Sequence, residues 1–204
     1  NGGTLSSGAS GSFFFTVKIL STISSPTNYI KLDYTTGGFD GEVESDSDFD
    51  DSAGTMDVGD RPNDAEIRAV VSFDLPPELN NPLVAISSAT LRLYDPANSG
   101  KVNEINPIHM DLIEAGTSLD ASDFNSTIYS SDIVSPFNLL GDGSYTYFDV
   151  TSALQDTIDN SRQRFQIRLR PDSISADGGA DYVVIATFEK LPRCAFTPGS
   201  SPST

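Results

Sequence analysis

The sequence predicts an all-β fold, an antiparallel β-sandwich of the jelly-roll type with one short helix and an additional N-terminal strand. Three observations predict it. Apolar and polar residues alternate with a period of two in most of the patterned segments, which places successive side chains on opposite faces of a sheet. Loops rich in Gly, Pro, Asn and Asp separate these segments. A single segment has a helical period instead, and several short strands with one helix favour two packed sheets.

The strands follow from the alternation, taken in chain order. The alternating segments are residues 13–20, 67–75, 89–94, 108–112, 165–170 and 182–188. Each has the pattern of a half-buried strand. Val150, Leu154 and Ile158 instead recur at every fourth position, with Asp149 or Thr151 available to cap the first turn. We therefore expect one short helix there, lying over one end of the sandwich.

The chain divides into a sandwich domain and two polar ends. We assign residues 39–196 to the domain, residues 1–38 to an N-terminal arm and residues 197–204 to a Ser- and Pro-rich tail. Gly- and Ser-rich stretches of this kind are typical of linkers. The whole chain has 204 residues, which is enough for one domain with a substantial core.

Charge and cysteine content exclude several classes of partner. The formal net charge is -17, and nucleic acid is therefore a poor partner, because binding to phosphates needs clusters of Lys and Arg. Cys194 is the only cysteine, so no disulfide forms within the chain. No apolar run reaches about 18 residues, and we expect no insertion into a membrane.

The strongest functional signal is an acidic run between residues 40 and 64, which holds ten carboxylates and a single Arg. Crowded carboxylates repel one another unless a cation lies among them, and hard oxygen ligands suit Ca²⁺. We expect Ca²⁺ at Asp46, Asp48, Asp50 and Asp57, with Asp40, Asp60 and Asp64 as alternative ligands. The other interpretation is a solvated acidic loop that binds no metal.

The spacing of the run differs from that of an EF-hand. Counting from Asp46, position 6 is Asp51 where an EF-hand has Gly, and position 12 is Asp57 where it has a bidentate Glu. The flanking residues have the pattern of strands rather than of amphipathic helices. We therefore expect a calcium-binding loop between strands.

Five stretches together resemble a known family. They are EIRAVVSFDLPPEL, ISSATLRLYDP, TYFDVTSALQDTIDN, FQIRLRPD and SADGGADYVVIATFE. In this order they resemble the DNRLRE domain family and related jelly rolls that are similar to carbohydrate-binding modules. The matching motifs are Val58-Gly59, Phe73-Asp74-Leu75, residues 88–93, residues 148–151 and residues 177–179. The resemblance covers roughly residues 39–196 and implies an extracellular jelly roll.

The resemblance also raises the question of sugar binding. Sugar rings commonly stack on aromatic faces, and this chain has no Trp. Tyrosines are the remaining candidates for such a platform, although Tyr is also an ordinary residue at strand edges. The candidates are Tyr29, Tyr34, Tyr129, Tyr145, Tyr147 and Tyr182.

The first predicted strand lies outside the family resemblance and follows a Gly/Ser arm. Phe13, Phe15, Val17 and Ile19 form its apolar face. An unpaired apolar strand is an aggregation hazard unless it is covered. It either pairs within its own sandwich or completes a sheet of a neighbouring copy by strand addition.

These observations lead to two hypotheses about function. The first is an extracellular structural protein, a calcium-stabilised subunit that forms a homopolymer by donating its N-terminal strand. The alternative is a non-catalytic carbohydrate-binding module of a secreted or cell-surface protein, with polysaccharide as its partner. We expect no catalysis, because the only histidine, His109, lies outside any nucleophile motif. Asn125 begins a glycosylation sequon, consistent with an extracellular location.

Overall fold

The computed structural model describes residues 30–33, 39–51, 55–79, 84–96, 104–186 and 193–198. Within this part the chain forms twelve strands, one α-helix and two short 3-10 helices. The strands are β1 Ile30–Asp33, β2 Gly41–Glu44, β3 Phe49–Asp50, β4 Thr55–Asp60, β5 Glu66–Asp74, β6 Ile86–Asp95, β7 Ile108–Glu114, β8 Thr127–Ser130, β9 Ser144–Asp149, β10 Arg164–Pro171, β11 Tyr182–Ala186 and β12 Arg193–Pro198. The helices are α1 Thr151–Asp159 and the 3-10 turns Pro77–Leu79 and Ala121–Asn125.

The strands form two antiparallel sheets. One sheet has the order β1-β12-β6-β9, and the other has the order β11-β4-β5-β10-β7-β8. In addition, β2 pairs with β5 and with the short strand β3. The predicted antiparallel β-sandwich is confirmed, while the jelly-roll connectivity stays a prediction.

The core lies between the two sheets and follows from strand alternation. In the register of β5 with β10, Phe73 is opposite Phe165 and Val71 is opposite Ile167. The two Phe rings stack with centroids 6.2 Å apart, and both side chains are fully buried. Leu91 from the other sheet belongs to the same cluster. Burying each of these side chains stabilises the fold by roughly 1.5 to 3 kcal/mol.

Charged residues are buried on the outer face of the larger sheet. Arg168 of β10 donates to Asp111 of β7 at 3.0 Å, and both side chains are almost fully buried. Arg170 also donates to Asp111 at 3.0 Å. Burial would raise the pKa of Asp111, but the hydrogen bonds from Arg168 and from the backbone outweigh it and lower the pKa. The carboxylate therefore stays ionised within this sheet.

Helix α1 agrees with the predicted periodicity, since Val150, Leu154 and Ile158 are all buried. The helix begins after Val150, which makes no side-chain capping bond. Asp149 instead accepts hydrogen bonds from the backbone N–H and the hydroxyl of Thr151. Among the described residues, no helix is long and apolar enough to cross a membrane.

Two features of the fold lie at or beside segments that the sequence pattern singles out. Strand β1 belongs to the residues assigned to the N-terminal arm, yet it pairs with β12, with Ile30 opposite Phe196. The acidic run contains β2, β3 and β4 rather than one loop. Its acidic side chains form hydrogen bonds and ion pairs, and these interactions allow acidic residues to lie within strands. The predicted N-terminal strand at residues 13–20 lies outside the described residues.

Candidate metal centre

The acidic run divides into separate groups, because the short strands turn its carboxylates toward different partners. Glu42 and Glu44 of β2 and Asp57 of β4 surround the guanidinium of Arg61. Arg61 donates to Glu44 at 2.7 Å and to Asp57 at 3.0 Å, and it also donates to Glu42. We call these four residues the Arg61 cluster. Of the predicted calcium ligands, this cluster contains only Asp57, and there the one Arg of the run is the balancing cation.

Burial and charge shift the pKa values in the Arg61 cluster. Burial raises the pKa of Glu42 and of Asp57 by more than Arg61 lowers it. Burial would lower the pKa of Arg61, but its hydrogen bond to Glu44 and the nearby carboxylates outweigh it and raise the pKa. The guanidinium therefore stays charged and balances part of the acid around it.

Asp40 lies apart from the Arg61 cluster and is buried. Its Oδ1 accepts a hydrogen bond of 2.5 Å from the backbone N–H of Ser72. Burial raises the pKa of Asp40 to about 8, although the hydrogen bond from Ser72 and the charge of Arg164 oppose the shift. Asp40 is therefore protonated at neutral pH and is a poor metal ligand there.

Three further predicted ligands follow the turn after β2. Asp46 accepts from the Asn63 side chain at 3.0 Å, and Asp48 accepts from the backbone N–H of Phe49 at 2.9 Å. Asp50 lies in β3 opposite Glu42. In the described part of the chain, Asp46, Asp48, Asp50 and Asp57 do not form a group with three converging carboxylate oxygens. Calcium binding by these four residues stays a prediction.

Asp60, at the end of β4, does not belong to the Arg61 cluster, and its carboxylate is hydrogen-bonded to Asp181 instead. Its Oδ1 accepts from the backbone N–H of Asp181 at 2.9 Å, and its own N–H donates to the Asp181 carbonyl at 2.7 Å. Both carboxylates are fully buried. A Cβ on Gly59 would lie 2.0 Å from the Asp181 carbonyl oxygen, so only Gly allows this close approach.

Two exposed carboxylates complete the group. One ligand oxygen each from Glu104, Asp177 and Asp181 lies within 4.8 Å of the others. We call these three residues with Asp60 the Asp60 cluster. Asp177 is fixed by the N–H of Gly179 at 2.7 Å, and the predicted ligand Asp64 accepts from the N–H of Gly178 at 3.1 Å.

The donors of the Asp60 cluster fit a hard cation. All four are carboxylates, and Ser175 adds a hydroxyl that is 2.7 Å from Asp181 and 3.2 Å from Asp60. Ca²⁺ takes six to eight oxygen ligands in a flexible arrangement, whereas Zn²⁺ prefers nitrogen and sulfur ligands in a tetrahedron. The donor set therefore matches Ca²⁺ better than a transition metal.

Sequence reasoning identified Asp60 and missed its partners. The stretch 177–179 belongs to the family resemblance, and an Asp followed by two Gly residues is also a turn signal. Asp181 lies just before β11, and Glu104 lies in the segment before β7. Glu104, Asp177 and Asp181 lie 44, 117 and 121 positions after Asp60 along the chain, and these separations hide the group from any local pattern.

Among the described residues, His109 and Asn125 lie apart from both clusters. His109 lies between two carboxylates, with Nδ1 2.6 Å from Asp132 and Nε2 3.0 Å from Asp172. Asn125 is exposed at the end of a 3-10 turn, next to β8. Phe13, Phe15, Val17 and Ile19 lie outside the described residues.

The tyrosines do not form one aromatic platform in the described part of the chain. Tyr145 and Tyr147 lie on β9, Tyr182 lies on β11, and Tyr129 lies on β8 of the larger sheet. Tyr145 packs against Tyr94 with ring centroids 4.8 Å apart. Tyr29 and Tyr34 lie outside the described residues.

No protein-family model matches the chain. A search among curated proteins also finds no significant match. What the chain does is therefore inferred from the charges and contacts of its own residues.

Proposed function

We propose that the chain is a non-catalytic, extracellular structural subunit, whose sandwich binds Ca²⁺ at the Asp60 cluster and which polymerises through its N-terminal strand. The observation that carries the calcium part is the convergence of carboxylate oxygens from Glu104, Asp177 and Asp181, next to Asp60, which is hydrogen-bonded to Asp181. Asp60 ends β4, Glu104 precedes β7, and Asp177 and Asp181 belong to the connection between β10 and β11.

The hydrogen bonds of the Asp60 cluster support the proposal that a cation stabilises it. The hydroxyl of Ser175 lies within hydrogen-bonding distance of Asp60, Asp177 and Asp181, at 3.2, 3.4 and 2.7 Å. A hydroxyl has one proton to donate, so it serves one of these carboxylates at a time. Two like charges 4 Å apart repel by about 1 kcal/mol in water and by about 4 kcal/mol near a protein surface. A divalent cation turns this repulsion into attraction.

A bound Ca²⁺ would also hold the fold together. It would tie the end of β4 to the segment before β7 and to the β10–β11 connection. Ile105, fully buried next to Glu104, fixes the middle one of these segments to the core. Extracellular modules typically bind Ca²⁺ at about 0.1 to 1 mM, a range in which a partly exposed group of carboxylates is sufficient.

The assembly part of the proposal combines the sequence with the sheet edges. Residues 13–20 have the alternation of a strand with one fully apolar face and follow a Gly- and Ser-rich stretch. Among the described strands, β8 pairs only with β7 and β9 pairs only with β6. An edge strand offers main-chain donors and acceptors to a strand from another molecule. Four buried apolar side chains, at roughly 1.5 to 3 kcal/mol each, would favour such a contact.

Two point variants with a matched position test the assembly. Val17→Asp places a charge on the predicted apolar face, whereas Thr16→Asp places the same charge on the opposite face. We expect the wild-type chain and Thr16→Asp to form polymers with millimolar calcium, and Val17→Asp to remain monomeric. Sedimentation velocity and negative-stain electron microscopy, with calcium and then with EGTA, distinguish these states.

Deletion of residues 1–20 gives the complementary result. The proposal expects soluble monomers that retain the far-ultraviolet circular dichroism of a folded β protein. Polymers of unchanged appearance after the deletion would contradict strand donation. So would an intact chain that stays monomeric at high concentration with calcium, in which case the strand belongs to its own sandwich.

A further inference from the structure

Strand β8 forms an open edge of the larger sheet. All four of its residues are exposed, and no other strand whose side-chain burial the structure describes is exposed along its whole length. It contains no charged residue and no Pro, which usually protect a sheet edge from pairing, although a bulge at Tyr129 interrupts its register with β7. Strand β8 is therefore the described edge best suited to accept a strand from another molecule.

Strand β9, the edge of the smaller sheet, offers less free surface. Tyr145 packs against Tyr94 with ring centroids 4.8 Å apart. Phe148 is buried, and its ring centroid lies 4.3 Å from that of Phe137. Most of the aromatic surface of β9 is thus already in contact with the rest of the chain, and Tyr147 is its one exposed ring.

An open cavity of about 420 Å³ lies between β8 and helix α1. Its lining includes Ser130 of β8 and Ser152 of α1, and its apolar surface comes from Leu112, Tyr129, Ile133 and Ala153. Successive side chains of a strand point to opposite faces of its sheet. A strand added beside β8 would therefore have room for apolar side chains of one face within this cavity.

The charge around the cavity suits the N-terminal arm. Asp132 and Asp156 are the charged residues of the lining, and the ion pair with Arg162 balances only Asp156 among them. Residues 1–29 contain no Asp or Glu and a single cationic side chain, Lys18. The whole chain has a net charge of -17, so the acidic surfaces of two copies repel each other. The arm is free of that repulsion, and Lys18 is attracted to the acidic cavity.

The length of the arm allows the predicted strand to reach a neighbouring copy. Strand β1 begins at Ile30, so residues 21–29 connect it to the predicted strand at residues 13–20. Nine extended residues span at most about 30 Å. This is about twice the radius of gyration of about 15 Å that a domain of this size has. The strand can therefore extend from its own sheet edge to β8 of a copy in contact with it.

On the basis of the strand donation proposed above, we propose that β8 is the acceptor edge. Residues 13–20 of one copy pair with β8 of the next, and part of their apolar face fills the cavity between β8 and α1. The arm leaves from β1 on the smaller sheet, whereas the acceptor lies on the larger sheet. Each contact thus joins two different surfaces, and contacts of this head-to-tail type continue from copy to copy.

Photo-crosslinking identifies the acceptor edge directly. The photoreactive residue p-benzoylphenylalanine replaces Ile128 of β8, which is 45% exposed, or Tyr147 of β9, which is 59% exposed and serves as the matched control. Isotope-labelled and unlabelled chains are mixed in EGTA before calcium is added, so that mass spectrometry separates crosslinks between copies from crosslinks within one copy. In polymers we expect position 128 to crosslink to residues 13–20 of another copy, and position 147 to give few or no such products.

A pair of charged variants tests the same edge by its effect on assembly. Ile128→Lys places on β8 the kind of charge that protects natural sheet edges, and Tyr147→Lys places it on β9. Both positions are exposed, so the circular dichroism of the two variants should match that of the wild-type chain. We expect Ile128→Lys to raise the concentration needed for polymerisation by about tenfold or more and Tyr147→Lys to leave it unchanged. Sedimentation velocity with calcium measures this concentration.

The outcomes separate the acceptor edge from polymerisation itself. Polymers that crosslink through position 147 and tolerate Ile128→Lys would overturn the assignment of β8 and leave strand donation in place. Crosslinks from position 128 to residues 13–20 of the same copy only would place the strand in its own sandwich and contradict both proposals. A chain that forms no polymer with calcium would contradict the proposed function, and the assignment of β8 would fail with it.

Discussion

Asp60 and Arg61 are neighbours in the sequence, yet they belong to two clusters that balance negative charge in different ways. In the Arg61 cluster a guanidinium lies among three carboxylates of the same acidic run. In the Asp60 cluster, Asp60 at the end of β4 shares the hydroxyl of Ser175 with Asp177 and Asp181 of the β10–β11 connection. A dense acidic run is therefore not one site. The negative charge of each carboxylate is compensated by the groups that lie next to it in the folded sheet.

Asp40 adds a third way to balance a carboxylate from the same run. Burial raises its pKa to about 8, so that a proton neutralises it at physiological pH. Guanidinium, proton and the proposed Ca²⁺ therefore act on carboxylates within about 20 residues of one another along the chain. The guanidinium, the proton and the proposed Ca²⁺ can each be removed separately by substitution.

Replacing Arg61 should have the largest effect. Arg61→Met leaves Glu42, Glu44 and Asp57 without their cation. Loss of one partner from a buried ion pair costs about 3 to 5 kcal/mol. Because the Arg61 side chain is 29% exposed, we expect a smaller loss of about 2 to 3 kcal/mol in the free energy of unfolding. Urea denaturation at neutral pH measures it.

The control for this substitution is Arg61→Lys, which retains the charge and should recover part of the loss. Acidification should also reduce the deficit in Arg61→Met, because protonation removes the unbalanced charges. We expect the same loss with calcium and with EGTA. Full rescue by calcium would mean that this cluster can hold the ion, and the contrast with the Asp60 cluster would then be wrong.

Replacing ligands in the Asp60 cluster should abolish stabilisation by calcium. A ligand at 100 times its dissociation constant stabilises the folded state by about 2.7 kcal/mol, or roughly 5 to 10 °C in melting temperature for a domain of this size. The double variant Glu104→Gln, Asp177→Asn should lose most of this shift. Both side chains are exposed, so its stability in EGTA should change little. Differential scanning calorimetry measures both conditions.

The matched control lies on the exposed turn after β2. The double variant Asp46→Asn, Asp48→Asn removes the same number of charges from exposed positions outside the Asp60 cluster. We expect it to keep the full calcium shift. If this variant lost the shift and the Glu104 and Asp177 variant kept it, calcium would bind the turn as the sequence spacing predicts.

The effect of replacing Asp40 should depend on pH and grow as pH rises from about 4 to about 8. The folded chain holds the Asp40 proton up to about pH 8, whereas the unfolded chain releases it near pH 4. Stability therefore falls as pH rises between these values, by up to about 1.4 kcal/mol per pH unit from this group. Asp40→Asn removes this slope, so its free energy of unfolding should rise relative to wild type as pH increases from 5.5 to 6.5. A wild-type slope unchanged by the substitution would show that Asp40 is ionised in the fold.

The sequence alone predicted the strands whose two faces differ in polarity. Residues 67–75 and 165–170 correspond to β5 and β10. One face of each strand packs in the core, so apolar and polar residues alternate along its sequence. The sequence also predicted helix α1, since Val150, Leu154 and Ile158 share one buried face. Strands β2 and β4 were missed. Their buried positions include Glu42, Glu44 and Asp60, and acidic residues do not register as core in any hydrophobic pattern.

The candidate site was only partly predictable for a related reason. An acidic run signals that charge must be balanced, but it does not say by what. The Arg61 cluster depends on the turn between β4 and β5, which brings Arg61 back toward β2. The Asp60 cluster depends on the antiparallel pairing of β4 with β11, which places Gly59 opposite Tyr182. Both contacts are set by tertiary structure and are absent from local sequence.

The most direct test of the calcium site is a crystal structure of the chain grown with Ca²⁺ and soaked with Tb³⁺, a cation that also prefers oxygen ligands. Anomalous difference density locates the ion without reference to the carboxylates. We predict a peak at the Asp60 cluster, with oxygens of Glu104, Asp177 and Asp181 at about 2.3 to 2.6 Å from the ion. A peak bound by Asp46 and Asp48, or no peak at the Asp60 cluster, would contradict the account.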